Sequence, residues 1–124
     1  MDLLTSSLQR GFRAVGAGAW MPIIREPGAQ PSRSFSVETE GGTVGQTVTV
    51  ELHAWPNGNT PPVAGDANTL VGTITVTIGT TYSNGISGKG VVPDLTVLPY
   101  SMVAAYCTSI GTGGIAAFPM FDGV

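Results

Sequence analysis

The only histidine, His53, lies in TVTVELHAW (Thr47 to Trp55), two residues after Glu51 and two before Trp55. On a β-strand, positions i and i+2 point to the same face, so Glu51, His53 and Trp55 line up. An imidazole beside a carboxylate is the beginning of a metal site or a general base, and an aromatic beside both suits a ligand or subunit contact. A zinc site needs further ligands, and Asp66 or Asp94 would have to bring them from elsewhere in the chain. Serines are plentiful, but one histidine and no GxSxG elbow leave no recognisable nucleophilic triad. The pattern therefore reads as a surface or interface histidine.

The remaining candidates for chemistry are weaker. Glu38 and Glu40 share a strand face next to Gly41-Gly42, a spacing that makes a charged rim rather than the acid and base of a glycosidase. SNGISGKGVV contains a GKG, but it lacks the GxxxxGK[ST] frame and no helix pattern follows. A turn between strands explains it better, with Lys89 as the solvating charge at its tip. Cys107 is the sole cysteine, so neither an internal disulfide nor a Cys-rich zinc site can form. Its setting, MVAAYC, is that of a buried thiol. Trp20, Trp55, Tyr82, Tyr100 and Tyr106 could recognise sugars or anchor subunit contacts. Trp55, just before Pro56 and Asn57-Gly58, stands where a binding loop would project, or closes the end of a sandwich. The expectation is a non-enzymatic protein with no catalytic residues, no cofactor and no metal.

Composition narrows the partners. The chain has 124 residues, 42% hydrophobic and 10% charged, with a formal net charge of −3. That is enough for one domain with a core. The charged fraction is far below the usual quarter, and Thr and Ser take the place of charge on the polar faces. Such a surface suits a life inside an assembly. Arg10, Arg13, Arg25 and Arg33 precede the body, whereas the body carries only Lys89 against Glu38, Glu40, Glu51, Asp66, Asp94 and Asp122. The acidic balance argues against specific nucleic-acid binding. No run of apolar residues is long enough for a membrane span, and Arg10 and Arg13 interrupt what would be the core of a secretory signal.

The elements that must position these residues are short strands. Val48, Val50, Leu52 and Ala54 alternate with Thr47, Thr49, Glu51 and His53, and Ile74, Val76 and Ile78 alternate with Thr73, Thr75 and Thr77. Strands are expected at 34–39, 46–55, 70–78 and 101–108, with weaker ones at 80–83, 87–92 and 94–98. Glycine- and proline-rich turns separate them. Residues 111–124 form either a last strand or a second arm. Ahead of the body, Leu4, Leu8, Phe12, Val15 and Ala19 recur at helical spacing, which suggests either a short helix over 3–15 weakened by glycines or an extended arm lying along a neighbouring subunit. Pro22, Pro27 and Pro31 then mark a linker. The division is an N-terminal arm and Pro-rich linker over 1–33 and a β-sandwich domain over 34–124. The fold class is all-β, an antiparallel β-sandwich or jelly roll with an N-terminal arm.

TVTVELHAWPNG followed by LVGTITVTI, then ISGKGVV, a Pro/Asp turn and MVAAYCTSIGTG, resembles small β-sandwich proteins of bacteriophage virions and of trimeric surface fibre tips. The likeness spans 46–113 and implies a jelly roll related to the tumour-necrosis-factor head, usually a trimer. It implies a structural component located in the virion: a capsid decoration, head fibre or tail-fibre-like protein. Its partners would be copies of itself and other virion proteins. The alternative is a module binding a host-surface glycan or receptor. The arm, without a collagen or coiled-coil stalk, favours a capsid or tail component anchored to a neighbour. Residues expected at interface or ligand contacts are Leu4, Leu8, Phe12, Trp20, His53, Trp55 and Tyr82.

Overall fold

The computed structural model describes residues 15–18, 20–25, 33–56, 68–79, 86–95, 101–111 and 114–123. Seven strands account for most of them: β1 (Trp20–Arg25), β2 (Arg33–Glu40), β3 (Thr47–Pro56), β4 (Leu70–Thr77), β5 (Ile86–Leu95), β6 (Ser101–Ile110) and β7 (Ala116–Gly123). They form a four-stranded sheet of order β1-β6-β3-β4 and a three-stranded sheet of order β5-β2-β7. Every neighbouring pair is antiparallel. No helix among the described residues is long and apolar enough to cross a membrane.

Alternation decides which face is buried. In β3, Val48, Val50 and Leu52 are fully buried, while Thr47, Thr49 and Glu51 lie on the opposite face. In β4, Ile74 and Val76 are buried and Thr73, Thr75 and Thr77 are exposed. The register opposes like with like: Val48 faces Val76, Val50 faces Ile74, and Thr49 faces Thr75. A slip of one residue would turn both apolar rows to solvent. The core joins both sheets, with Phe35 and Val37 from β2, Val103, Ala105 and Cys107 from β6, and Ile115 and Ala117 at β7. A large side chain buried this way contributes about 1.5–3 kcal/mol.

The two sheets approach most closely where β4 meets β5. A Cβ on Gly90 would lie 2.5 Å from Ile74 Cγ2, and one on Gly88 would lie 2.6 Å from Val76 Cγ1. These glycines are strand residues whose missing side chains let the β4 valine and isoleucine in. The GKG run is therefore part of a strand rather than a turn. Lys89 stands exposed within β5 with Glu38 as its cross-strand partner.

The structure departs from the sequence reading in two other places. Residues 21–25, expected in a linker, complete strand β1, which among the described residues is an edge strand pairing only with β6. Pro22 is tolerated because β1 is an edge and its register shifts between Pro22 and Ile24, the setting in which a strand accepts a residue without an N–H. The expected separate strands at 87–92 and 94–98 are, as far as Leu95, one strand. Pro93 falls where the β2–β5 register shifts, between the Phe35–Val92 and Arg33–Leu95 pairs. Of the two alternatives for the C-terminal run, the strand is the one found: β7 spans Ala116–Gly123 and pairs with β2 along its length. The helix expected over 3–15 falls outside the described residues but for Val15, which lies in a bend. The strand expected at 80–83 and the turn at Asn57-Gly58 lie outside them too.

The β2–β3 connection is a tight polar turn. Gly41 and Gly42 have φ of 78° and 86°, the left-handed region that glycine occupies without steric cost. A Cβ on Gly41 would lie 2.6 Å from the Gly114 carbonyl oxygen. The Gln46 side chain accepts from the Thr43 N–H at 2.7 Å, and the Ile78 N–H donates to the Gln46 carbonyl at 2.8 Å.

Candidate functional site

Of the residues singled out for chemistry, Trp20, Glu51, His53, Trp55 and Tyr106 come together on the outer face of the four-stranded sheet. Trp20 is the cross-strand partner of Tyr106, Tyr106 of Glu51, and Glu51 of Thr73. This is one row across all four strands. His53 is two positions along β3, with Ala104 as its β6 partner. The i, i+2 alignment of Glu51 and His53 brings His53 Nε2 to 2.8 Å from Glu51 Oε1. The other ring nitrogen, Nδ1, is 2.8 Å from Thr69 Oγ1, which belongs to the turn leading into β4.

The donors and acceptors of this relay follow from the carboxylate. An ionised carboxylate only accepts, so Nε2–H donates to Glu51. In the neutral ring Nδ1 then accepts from the Thr69 hydroxyl. The Thr69 backbone is committed as well, since its carbonyl accepts from the Ala54 N–H at 2.9 Å. Thr69 thus ties the β4 turn to β3 through both side chain and main chain.

Aromatic rings cover the relay. Trp20 meets the His53 ring edge-on at a centroid distance of 5.2 Å and the Trp55 ring at 6.1 Å. It meets the Tyr106 ring at 4.7 Å in a tilted arrangement. Edge-to-face geometry of this kind adds to the area the rings bury. In consequence His53 is 0% exposed and the Glu51 side chain 16%. Of the expectation of a surface or interface histidine, the surface alternative is corrected: His53 lies on the outer face of its sheet yet is shut away from solvent. Trp55 is 7% exposed, so it closes the end of the strand rather than projecting from it.

A hydroxyl, an imidazole and a carboxylate in contact are the parts of a nucleophilic relay. Such a relay must also reach a substrate, and this imidazole is enclosed. Among the described residues, no group of three or more His, Cys, Asp or Glu is placed to hold a metal ion. Glu38 and Glu40 lie on the outer face of the three-stranded sheet, away from His53. Cys107 is fully buried in the core. Its thiol donates to the Ser109 carbonyl at 3.6 Å, and burial pushes its pKa above the ordinary 9.0.

Of the expected contact residues, the structure brings together Trp20, His53 and Trp55, while Leu4, Leu8, Phe12 and Tyr82 lie outside the described residues. Sequence reasoning missed Thr69. Nothing in a turn threonine 16 residues from His53 marks it as the second partner of the ring. Tyr106 was visible as an aromatic anchor, but its meeting with Trp20 depends on β1 being a strand. No family model, no curated protein and no solved structure matches this chain.

Proposed function

We propose that the protein is a non-enzymatic structural component that works by symmetric assembly with copies of itself, a trimer in a virion. There it would serve as a capsid decoration, head fibre or tail-fibre-like part. The observation that carries this reading is the fate of the only histidine. His53, the best candidate for chemistry, has both ring nitrogens bonded within the chain and no exposed surface. Its geometry locks strands together, which leaves the scaffold itself as the functional object.

Two further features support the reading. The path of the chain changes sheet at every connection except β3 to β4, the wrapping habit of a jelly roll. Only 10% of the residues are charged, a poor complement for a freely dispersed monomer. A sugar-binding module would need an aromatic face open to solvent, and among the described residues Trp55 is buried and Trp20 is engaged by His53, Trp55 and Tyr106.

The test is the mass of the full chain in solution by sedimentation and light scattering. A discrete trimer is expected. A monomer that stays monomeric across the whole accessible concentration range would remove the proposal.

A further inference from the structure

A buried imidazole with a carboxylate on one nitrogen and a hydroxyl on the other meets acid in two stages. The His53 side chain is 0% exposed and that of Glu51 16%, while Thr69 is half-buried. In the neutral ring, Nδ1 accepts from Thr69 and is the one nitrogen able to take a proton. Once it does, Nδ1 donates, and the Thr69 oxygen accepts across the same 2.8 Å. Burial penalises the charge so formed, and the Glu51 carboxylate, 2.8 Å from Nε2, compensates it. The relay therefore holds an imidazolium as long as Glu51 is ionised. A further proton, on Glu51, removes the compensating charge and leaves an imidazolium enclosed by rings, a state whose cost favours opening.

We infer that the Glu51–His53–Thr69 relay is an acid-sensitive latch on strand β1, which stays closed while His53 charges and releases Trp20 when Glu51 is neutralised. Among the described residues no other carboxylate faces the ring to take over from Glu51. β6 places Ala104 opposite His53 and Tyr106 opposite Glu51, and a phenol carries no charge in acid. β4 places Leu70 opposite His53 and Thr73 opposite Glu51. β1 brings Trp20 onto the ring and, at its far end opposite Met102, Arg25, whose charge has the sign of the imidazolium. The element that opening must move is β1. Its ladder to β6 shifts register beside Pro22, so the Trp20 cover is a large part of its attachment. The latch needs no partner molecule and stands apart from the assembly reading.

The full chain carries one histidine and two tryptophans, so imidazole NMR and tryptophan emission both report on this site. An imidazolium touching an indole quenches its emission, whereas exposure to water shifts the emission to the red. As the wild-type chain is titrated downward from neutral pH, quenching without a red shift is expected while the His53 signals change. The red shift follows only at lower pH, where carboxylates take protons, and before the far-ultraviolet circular dichroism of the sheets is lost. In Glu51→Gln the charged ring has no compensating carboxylate, so the red shift moves up into the range where imidazoles charge. That upward move vanishes when His53→Gln is added, which separates the latch from a general loss of stability. Should Glu51→Gln not fold at neutral pH, Glu51→Asp, whose shorter side chain draws the carboxylate off the ring, is expected to give a smaller upward move. A red shift that keeps its pH in the Glu51 variants, that moves equally without His53, or that in wild type coincides with loss of the far-ultraviolet signal overturns the latch.

Discussion

Replacing His53 with alanine measures what the buried relay contributes. The change removes a charge-assisted hydrogen bond to Glu51 and a neutral one to Thr69, worth about 1.5–3 and 0.5–1.5 kcal/mol. It also removes the edge-on contact with Trp20, worth about 0.5–1.5 kcal/mol. Because these terms overlap, the expected loss is about 3–5 kcal/mol. A chain of 124 residues has a total stability of roughly 6–19 kcal/mol, so the variant keeps its fold but melts roughly 10–20 °C lower. Urea and thermal unfolding, followed by far-ultraviolet circular dichroism, give the loss directly. The near-ultraviolet signal of the Trp20–Trp55 pair should weaken at the same time. A double-mutant cycle with Thr69→Ala isolates the side-chain bond, because the Thr69 carbonyl keeps its bond from Ala54. The coupling should be on the order of 1 kcal/mol. A His53→Ala chain within about 1 kcal/mol of wild type, or a cycle that closes to zero, would refute the relay as a lock.

Gly90→Ala should cost about 1–3 kcal/mol in urea unfolding by overpacking, since the new methyl would sit 2.5 Å from Ile74 Cγ2; a neutral change would mean that β4 and β5 do not touch there. Phe35→Ala should cost about 3–5 kcal/mol, whereas Thr75→Ala should stay within about 0.5 kcal/mol, a contrast read by the same assay. Cys107 should resist a thiol reagent in the native chain and react fully once unfolded, as a colorimetric thiol count would show. Below its ordinary pKa of 9.0 the thiol is protonated in both states. As pH rises past that value the unfolded chain ionises first, so the stability due to the buried thiol falls above pH 9 and not below it. A Cys107→Ser chain should lose that alkaline slope.

How much of this could be read from the sequence depended on whether a feature is set by local alternation or by the path of the chain. The faces of β3 and β4 were legible because period-two alternation is written directly into TVTVEL and TITVT. The shared face of Glu51 and His53 followed from the same rule. Strand β1 was not legible, since Pro22 argues against a strand and nothing local announces that this one lies at an edge with a bulge. The glycines of β5 were misread for a similar reason. Gly88 and Gly90 signal a turn by composition, but their cause is the proximity of Val76 and Ile74 from a strand of the other sheet. The burial of His53 was beyond reach, because its cover, Trp20, arrives only through β1 and β6.

That cover explains how an edge strand with a weakened ladder is held in place. Among the described residues β1 pairs with β6 alone, and its register breaks beside Pro22, a residue without an N–H to donate. The ladder by itself is a loose attachment for the start of the sandwich. Trp20 compensates by reaching Tyr106 on the neighbouring strand and His53 and Trp55 on the strand beyond it. His53 can serve as that floor only because Glu51 and Thr69 fix both of its nitrogens; an unpartnered imidazole under an indole would carry a desolvation cost of its own. The polar relay and the aromatic cover therefore depend on each other, and together they tie β1 to β6 and β3 by side chains where its ladder is interrupted.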